Sequence, residues 1–351
     1  MLFHLGALWR LNQLGYLGKL DRVSSVSGGS IAAGVLAKHW ASLQFDENGH
    51  APNFQSTVGA DIHGLASRTV DAPAILGGLF WFGSIGNRVA GAYRRHLFGS
   101  LKLSDLPDHP RFVFNATNLQ TGSLWRFEKP YMADYRVGQV LKPEVELATA
   151  VAASSAFPPF LSPVKLKIDE GAMVPFPDKP PPVLHKEPYT RTAVLSDGGV
   201  YDNLGLQAAV GRCEVVLVSD GGGKLKPVKR PWRNWPMHTL RVLGVIDSQV
   251  RALRAIDLVD GFEARRERGE PGGGLWTIRT PIASYGVSDA LPAPENRTDE
   301  LAATPTRLGK LPEERQQQLV NWGYAASDAA LRRYMAPGPR PEFPYPATGV
   351  G

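Results

Sequence analysis

The segment Ser24-Ser25-Val26-Ser27-Gly28-Gly29-Ser30 carries the clearest chemistry in this chain. It follows a short apolar strand signal, Arg22 to Val26, and opens a helix rich in Ala and Gly, Ser30 to Trp40. A serine at a sharp strand-to-helix turn exposes its hydroxyl above the sheet edge. It also sits at the positive end of the helix dipole, where backbone N–H groups can meet an oxyanion. Ser27 is therefore the candidate nucleophile, and Gly28 and Gly29 are the small elbow residues that let the chain double back and present an oxyanion donor. Ser25 stands where the first glycine of G-x-S-x-G is expected. Because Ser/Gly clusters also make plain turns, the assignment needs a second signal.

That signal is Ser196-Asp197-Gly198-Gly199-Val200-Tyr201-Asp202-Asn203, which ends the strand-like run Thr192 to Leu195. It puts a carboxylate at a strand tip beside glycines that allow close backbone approach. With both segments in place, the chain resembles the patatin-like phospholipase family, in its bacterial branch. The segments Phe112 to Asn118 and Val151 to Pro159 are similar to family segments lying between the two motifs, so the resemblance runs from about residue 2 to about residue 210. It implies a Ser–Asp dyad with Ser27 as nucleophile and Asp197 as base. It further implies a serine carboxylic-ester hydrolase working through an acyl-enzyme on phospholipids, lysophospholipids or other acyl-ester lipids, with no metal and no cofactor. The family also carries a glycine-rich oxyanion loop, roughly D-G-G-G-x-[RK]-G, ahead of the helix that leads to the elbow strand. Here that helix starts at Met1, so the first strand and the loop are expected to be missing, through an internal start or a shortened chain. Loss of one oxyanion donor costs about a hundred- to a thousand-fold in turnover. The competing expectation is thus a catalytically impaired relative acting as a lipid-binding or scaffold protein.

Two rivals arise from the residues themselves. A Ser-His-Asp triad in the order Ser, acid, His leaves only His238 downstream of Asp197, in a segment without distinctive context. The other seven histidines are scattered, and none forms H-x-x-H or H-E-x-x-H, so no zinc site is expected. Asp220, in Ser219-Asp220-Gly221-Gly222-Gly223-Lys224, also follows a strand and competes for the role of base. The flank of Asp197 is the better match to the family.

The elements that must position these residues alternate between strand and helix signals. The expectation is an α/β fold of three layers, with a mostly parallel central sheet flanked by helices. Leu2, Leu5, Leu8, Trp9 and Leu11 mark a first helix to Tyr16. Gly34 and Ala33 suit close packing of the elbow helix on the sheet. Strands are read at Arg111 to Asn118, Val164 to Ile168, Glu214 to Ser219 and Leu275 to Thr280. Helices are read at Glu146 to Ala156 and Glu313 to Arg333, and Met237 to Arg268 reads as one long helical stretch or two. One patatin-like domain over residues 1–335 is expected, with an insertion at about 45–86. Phe45 to Ala72 reads there as a mobile loop, and the apolar, aromatic stretch Ala72 to Gly86 as core, as a wall over an acyl cleft or as an interfacial anchor. Residues 336–351, rich in Pro and Gly, read as a disordered tail.

Composition sets the outer limits. A hydrophobic content of 43% with 21% charged residues is that of a globular domain. No apolar run approaches the roughly 20 residues of a membrane span. No signal peptide is recognised, because Arg10 interrupts the first apolar run, so the expected location is cytoplasmic, peripheral at a membrane. The single cysteine, Cys213, excludes an internal disulfide and reads as a small core residue. A net charge of +6 favours anionic partners. The arginines lack the aromatic interleaving or finger spacing of a nucleic-acid module, so lipid and not nucleic acid is the expected partner.

Overall fold

The computed structural model describes residues 1–70, 85–177, 179–231, 233–305, 308–335 and 340–351. The chain forms two compact units. One comprises Met1–Leu2, Leu11–Cys213 and Arg307–Pro312; the other comprises Phe3–Arg10, Glu214–Thr306 and Glu313–Gly351.

In the first unit the strand leading to Ser27, β1 (Arg22–Ser25), pairs in parallel with the first half of β2 (Arg111–Asn118). β2 is buried along almost its whole length and is followed by β3 (Ser123–Phe127), β4 (Tyr131–Asp134) and β5 (Gly138–Leu141). With β6 (Val164–Lys167), β7 (Met173–Val174) and β8 (Thr192–Asp197), these strands make a mixed sheet in the order β6-β8-β2-β3-β4-β5-β7, with β1 also on β2. Among the described residues only β1–β2 is parallel in this sheet; the other six pairings are antiparallel. This corrects the expectation of a mostly parallel sheet, although the α/β character holds. The reason is connection length. β2 to β5 are joined by residues 119–122, 128–130 and 135–137, three- and four-residue links that can only reverse the chain, whereas a parallel neighbour needs a crossover of about a dozen residues or more. Asp134 fixes the first of these reversals. Fully buried, it accepts hydrogen bonds from Asn118 Nδ2 (2.9 Å), Thr121 Oγ1 (2.6 Å), Ser123 Oγ (2.7 Å) and Arg136 N (2.9 Å).

The helix behind Ser27, α2 (Gly28–His39), is buried from Ser30 to Ala37. A β-carbon on Gly34 would lie 2.9 Å from the Phe98 ring and 3.1 Å from Val151 Cγ2. The small residue thus admits neighbouring side chains outside the sheet, where the sequence suggested contact with the sheet itself. Residues 45–70, read as a mobile loop, instead carry a helix, α3 (Ala60–Ala66), preceded by a wide turn, Gln55–Gly59. Phe54, Val58, Ile62 and Leu65 are buried along one side at helical spacing. The apolar stretch Ala72 to Gly86 lies for the most part outside the described residues, which resume at the start of α4 (Ile85–Tyr93). α5 (Leu147–Ser154) is almost wholly buried, and a single helical turn, α6 (Gly199–Asp202), follows β8. Cys213 is half-buried and unpaired, less enclosed than a core cysteine.

The second unit has its own parallel pair, β9 (Leu217–Asp220) with β10 (Gly274–Thr277), joined by the 33-residue helix α7 (Trp235–Glu267). α8 (Glu295–Ala302) and α9 (Glu313–Tyr334) complete it. The middle of the first helix, α1 (Leu2–Gln13), belongs to this unit and meets α9 backbone to backbone. A β-carbon on Gly6 would collide with Val320 O, and one on Gly323 with Phe3 O. Nearby, Arg10 and Asp328 form a buried ion pair at 2.8 Å. Residues 340–351, read as a disordered tail, are held on α9. Asn321 Nδ2 donates to Tyr345 O (2.8 Å) and Gly349 O (2.6 Å), Asn321 Oδ1 accepts from Tyr345 N (3.0 Å), and Trp9 meets the Tyr345 ring edge to face.

Candidate active site

Two strands lie end to end along one edge of β2. β1 pairs with Arg111 to Phe114 and ends with Ser25 opposite Phe114; β8 runs the other way and ends with Asp197 opposite Ala116. Only Asn115 separates the two registers. Because both strands point their C-terminal ends at this junction, the residues that follow, Ser27 from β1 and Gly198 from β8, are brought together by sheet register alone. Asn115, fully buried, seals the gap: its Nδ2 donates to Ser25 O (3.0 Å) and Ser24 Oγ (2.9 Å).

Ser27 has φ 53° and ψ −131°, a backbone conformation that non-glycine residues rarely adopt and that costs of order 1–3 kcal/mol. It turns the chain from β1 straight into α2. Gly29 N donates to Val26 O and Ser30 N to Ser27 O, both at 2.9 Å, so these bonds define the turn. Of the three amides that open α2, the first, on Gly28, has no acceptor among the described residues and lies at the positive end of the helix dipole. A β-carbon on Gly28 would stand 3.4 Å from the backbone nitrogen of Met1, so the start of α1 faces the same space as the start of α2.

Asp197 is nearly buried, with 3% exposure. Its Oδ1 accepts from Gly199 N at 2.7 Å, and its main chain is fixed by Ala156 O on Asp197 N (3.0 Å) and by Thr117 Oγ1 donating to Asp197 O (2.7 Å). The Gly198 turn lies against the elbow strand. A β-carbon there would collide with Asn115 O and come within 2.9 Å of Val26 Cγ1. One acceptor joins the two turns. Ser154 O, at the end of α5, receives hydrogen bonds from both Ser27 N and Gly198 N at 3.1 Å each, so twice that distance is the most that can separate the two nitrogens.

The sequence reading assigned no role to Asn115 or Ser154, although both lie in segments that it singled out. Ser154 Oγ donates to Asn115 O (2.6 Å) and contacts Ser30 Oγ (2.7 Å), which lies 2.9 Å from Ser25 Oγ. Nothing in a linear pattern marks these as one cluster, because they come from four elements; the only signal was polar residues inside otherwise apolar runs. The rivals fare differently. Asp220, in the second unit, has its carboxylate occupied by Arg251 Nη1 (2.7 Å), Arg279 Nη2 (2.5 Å) and Gly222 N (2.9 Å). That is a structural ion cluster. His238 is exposed near the start of α7 in the same unit. Among the described residues no three His, Cys, Asp or Glu side chains are grouped to hold a metal ion.

The first unit thus brings a strand, a strained serine and a helix against a carboxylate turn pinned to the same carbonyl. The sequence model of the patatin-like phospholipases matches residues 1–210, and the chain belongs to that family of lipid acyl hydrolases. The match ends close to the end of the first unit's long segment, Leu11–Cys213. A search of curated proteins found no match to the chain. Among the described residues no helix is long and apolar enough to cross a membrane.

Proposed function

We propose that the first unit hydrolyses an acyl ester of a lipid at a membrane surface, with Ser27 as nucleophile and Asp197 as general base. The observation that carries this reading is the shared acceptor, Ser154 O, which ties the serine turn and the aspartate turn together. Ser27 Oγ attacks the ester carbonyl while its proton passes to the Asp197 carboxylate, directly or through one water. The tetrahedral oxyanion is held by the Gly28 N–H at the start of α2. Collapse breaks the ester C–O bond, and the leaving alcohol takes the proton from Asp197. Water, deprotonated by Asp197, then attacks the acyl-enzyme, releasing the fatty acid and restoring Ser27. An aspartate has an ordinary pKa near 3.9 and is a weak base. The Gly199 N–H holds the nearly buried carboxylate in place. No step needs a metal or cofactor.

The test is covalent labelling of the full chain with a fluorophosphonate, mapped by peptide mass spectrometry. Adduct on Ser27 that disappears in Ser27→Ala, together with release of fatty acid from phospholipid vesicles, is the expected result. Folded protein that takes no label at Ser27 would overturn the reading in favour of a lipid-binding relative without turnover.

A further inference from the structure

We infer that α7 and the segment leading into it form a docking surface for anionic lipid bilayers. The helix is held by the wrong face for a buried element. Helical periodicity places Gly244, Arg251 and Phe262 on one side. On this side Phe262 is buried, Arg251 pairs with Asp220, and a β-carbon on Gly244 would lie 3.3 Å from Leu225. The opposite side carries Trp235, Val242, Ile246, Val250 and Leu253, and it is this apolar stripe that faces outward, with Trp235 80%, Ile246 50% and Leu253 55% exposed. Val228, in the segment leading into the helix, is exposed as well. The stripe stops where Asp257 and Asp260 enter it.

Charge identifies the occupant. From Gly221 to Ile246 the sequence holds six cations, Lys224, Lys226, Lys229, Arg230, Arg233 and Arg241, and no Asp or Glu. Lys224 pairs with Asp299 at 3.5 Å; the other five form no ion pair among the described residues. Packing two copies through this stripe would draw like charges into one interface. A bilayer surface with anionic headgroups neutralises them instead, takes the aliphatic stripe into its acyl boundary, and seats an exposed tryptophan at headgroup level. The inference depends on the lipid-hydrolase reading for its purpose and not for its measurement.

The experiment is co-sedimentation of the full chain with vesicles of phosphatidylcholine alone and of phosphatidylcholine mixed with phosphatidylglycerol. Alongside run the exposed-residue variants Lys226→Gln/Lys229→Gln/Arg230→Gln and Ile246→Ser/Leu253→Ser. Binding is expected on the mixed vesicles, weakening with salt. It should fall about fivefold per cation removed and so about a hundredfold in the triple variant. The Ser double variant should lose binding as well, while both variants retain wild-type turnover of a soluble short-chain ester. Equal binding to neutral vesicles would overturn the proposal. So would a wild-type dimer, seen by sedimentation velocity, that the Ser double variant converts to monomer without any vesicle binding. Absence of ester turnover in the wild type would count against the Ser27 reading and leave the vesicle result standing.

Discussion

Ser27 combines the proposed nucleophilic role with an unfavourable backbone, and the two can be separated. Ser27→Ala and Ser27→Gly both remove the hydroxyl, but only glycine adopts φ 53° and ψ −131° without strain. Both variants should lose labelling and hydrolysis, and Ser27→Gly should be more stable than Ser27→Ala by about 1 kcal/mol in urea unfolding. Equal stabilities would mean that the turn carries no strain. Asn115 acts one step away, through the β1 carbonyl and hydroxyl that it holds. Asn115→Ala leaves Ser25 O without its buried donor and should cost about 1–3 kcal/mol. If Asn115 positions the site, kcat should drop with KM little changed. Full kcat in folded Asn115→Ala protein would restrict that residue to stability.

At the scale of elements, the site depends on two strands abutting along one edge of β2 and on the turns that follow them. Gly198→Ala would drive a methyl group into Asn115 O and Val26, forcing the β8–α6 turn off the elbow. We expect loss of hydrolysis and a stability cost above about 1 kcal/mol, measured by activity on vesicles and by urea unfolding. The hairpin array makes a separate prediction. Asp134→Ala strips one acceptor from four buried or half-buried donors, and it should destabilise the first unit by about 3 kcal/mol while leaving the second unit's transition in place. Loss of both transitions together would show that the units unfold as one.

For the whole molecule, pH sensitivity enters through His4. Its ring lies 2.8 Å from Ser219 Oγ, and burial lowers its pKa from 6.5 to about 3. In the folded chain the imidazole therefore stays neutral while the unfolded chain takes up a proton below pH 6.5. Folding stability should then fall as pH drops from 6.5 toward 3, with the contribution complete above that window. His4→Asn should flatten this slope in denaturant titrations between neutrality and about pH 4. An unchanged slope would assign the acid sensitivity to other groups.

The sequence by itself singled out the two candidate segments and determined the type and approximate bounds of the long, regular elements, leaving open whether α7 was one helix or two. Ser27 and Asp197 were legible as candidates because a glycine-flanked polar residue at a strand end is a local pattern. β2, α7 and α9 were legible because their periodicities run over many residues. The short strands β3 to β5 were not, since runs of four or five residues carry too little periodicity, and with them the antiparallel sheet was missed. Nor was the junction legible. Asn115 and Ser154 act only because strand register sets Ser25 and Asp197 on either side of one residue and lets one carbonyl serve two turns. Register is a non-local property, decided by which strands share an edge, and the same holds for the outward stripe of α7. Its amphipathic period is written in the sequence, whereas the side that faces outward was decided only when Arg251 found Asp220.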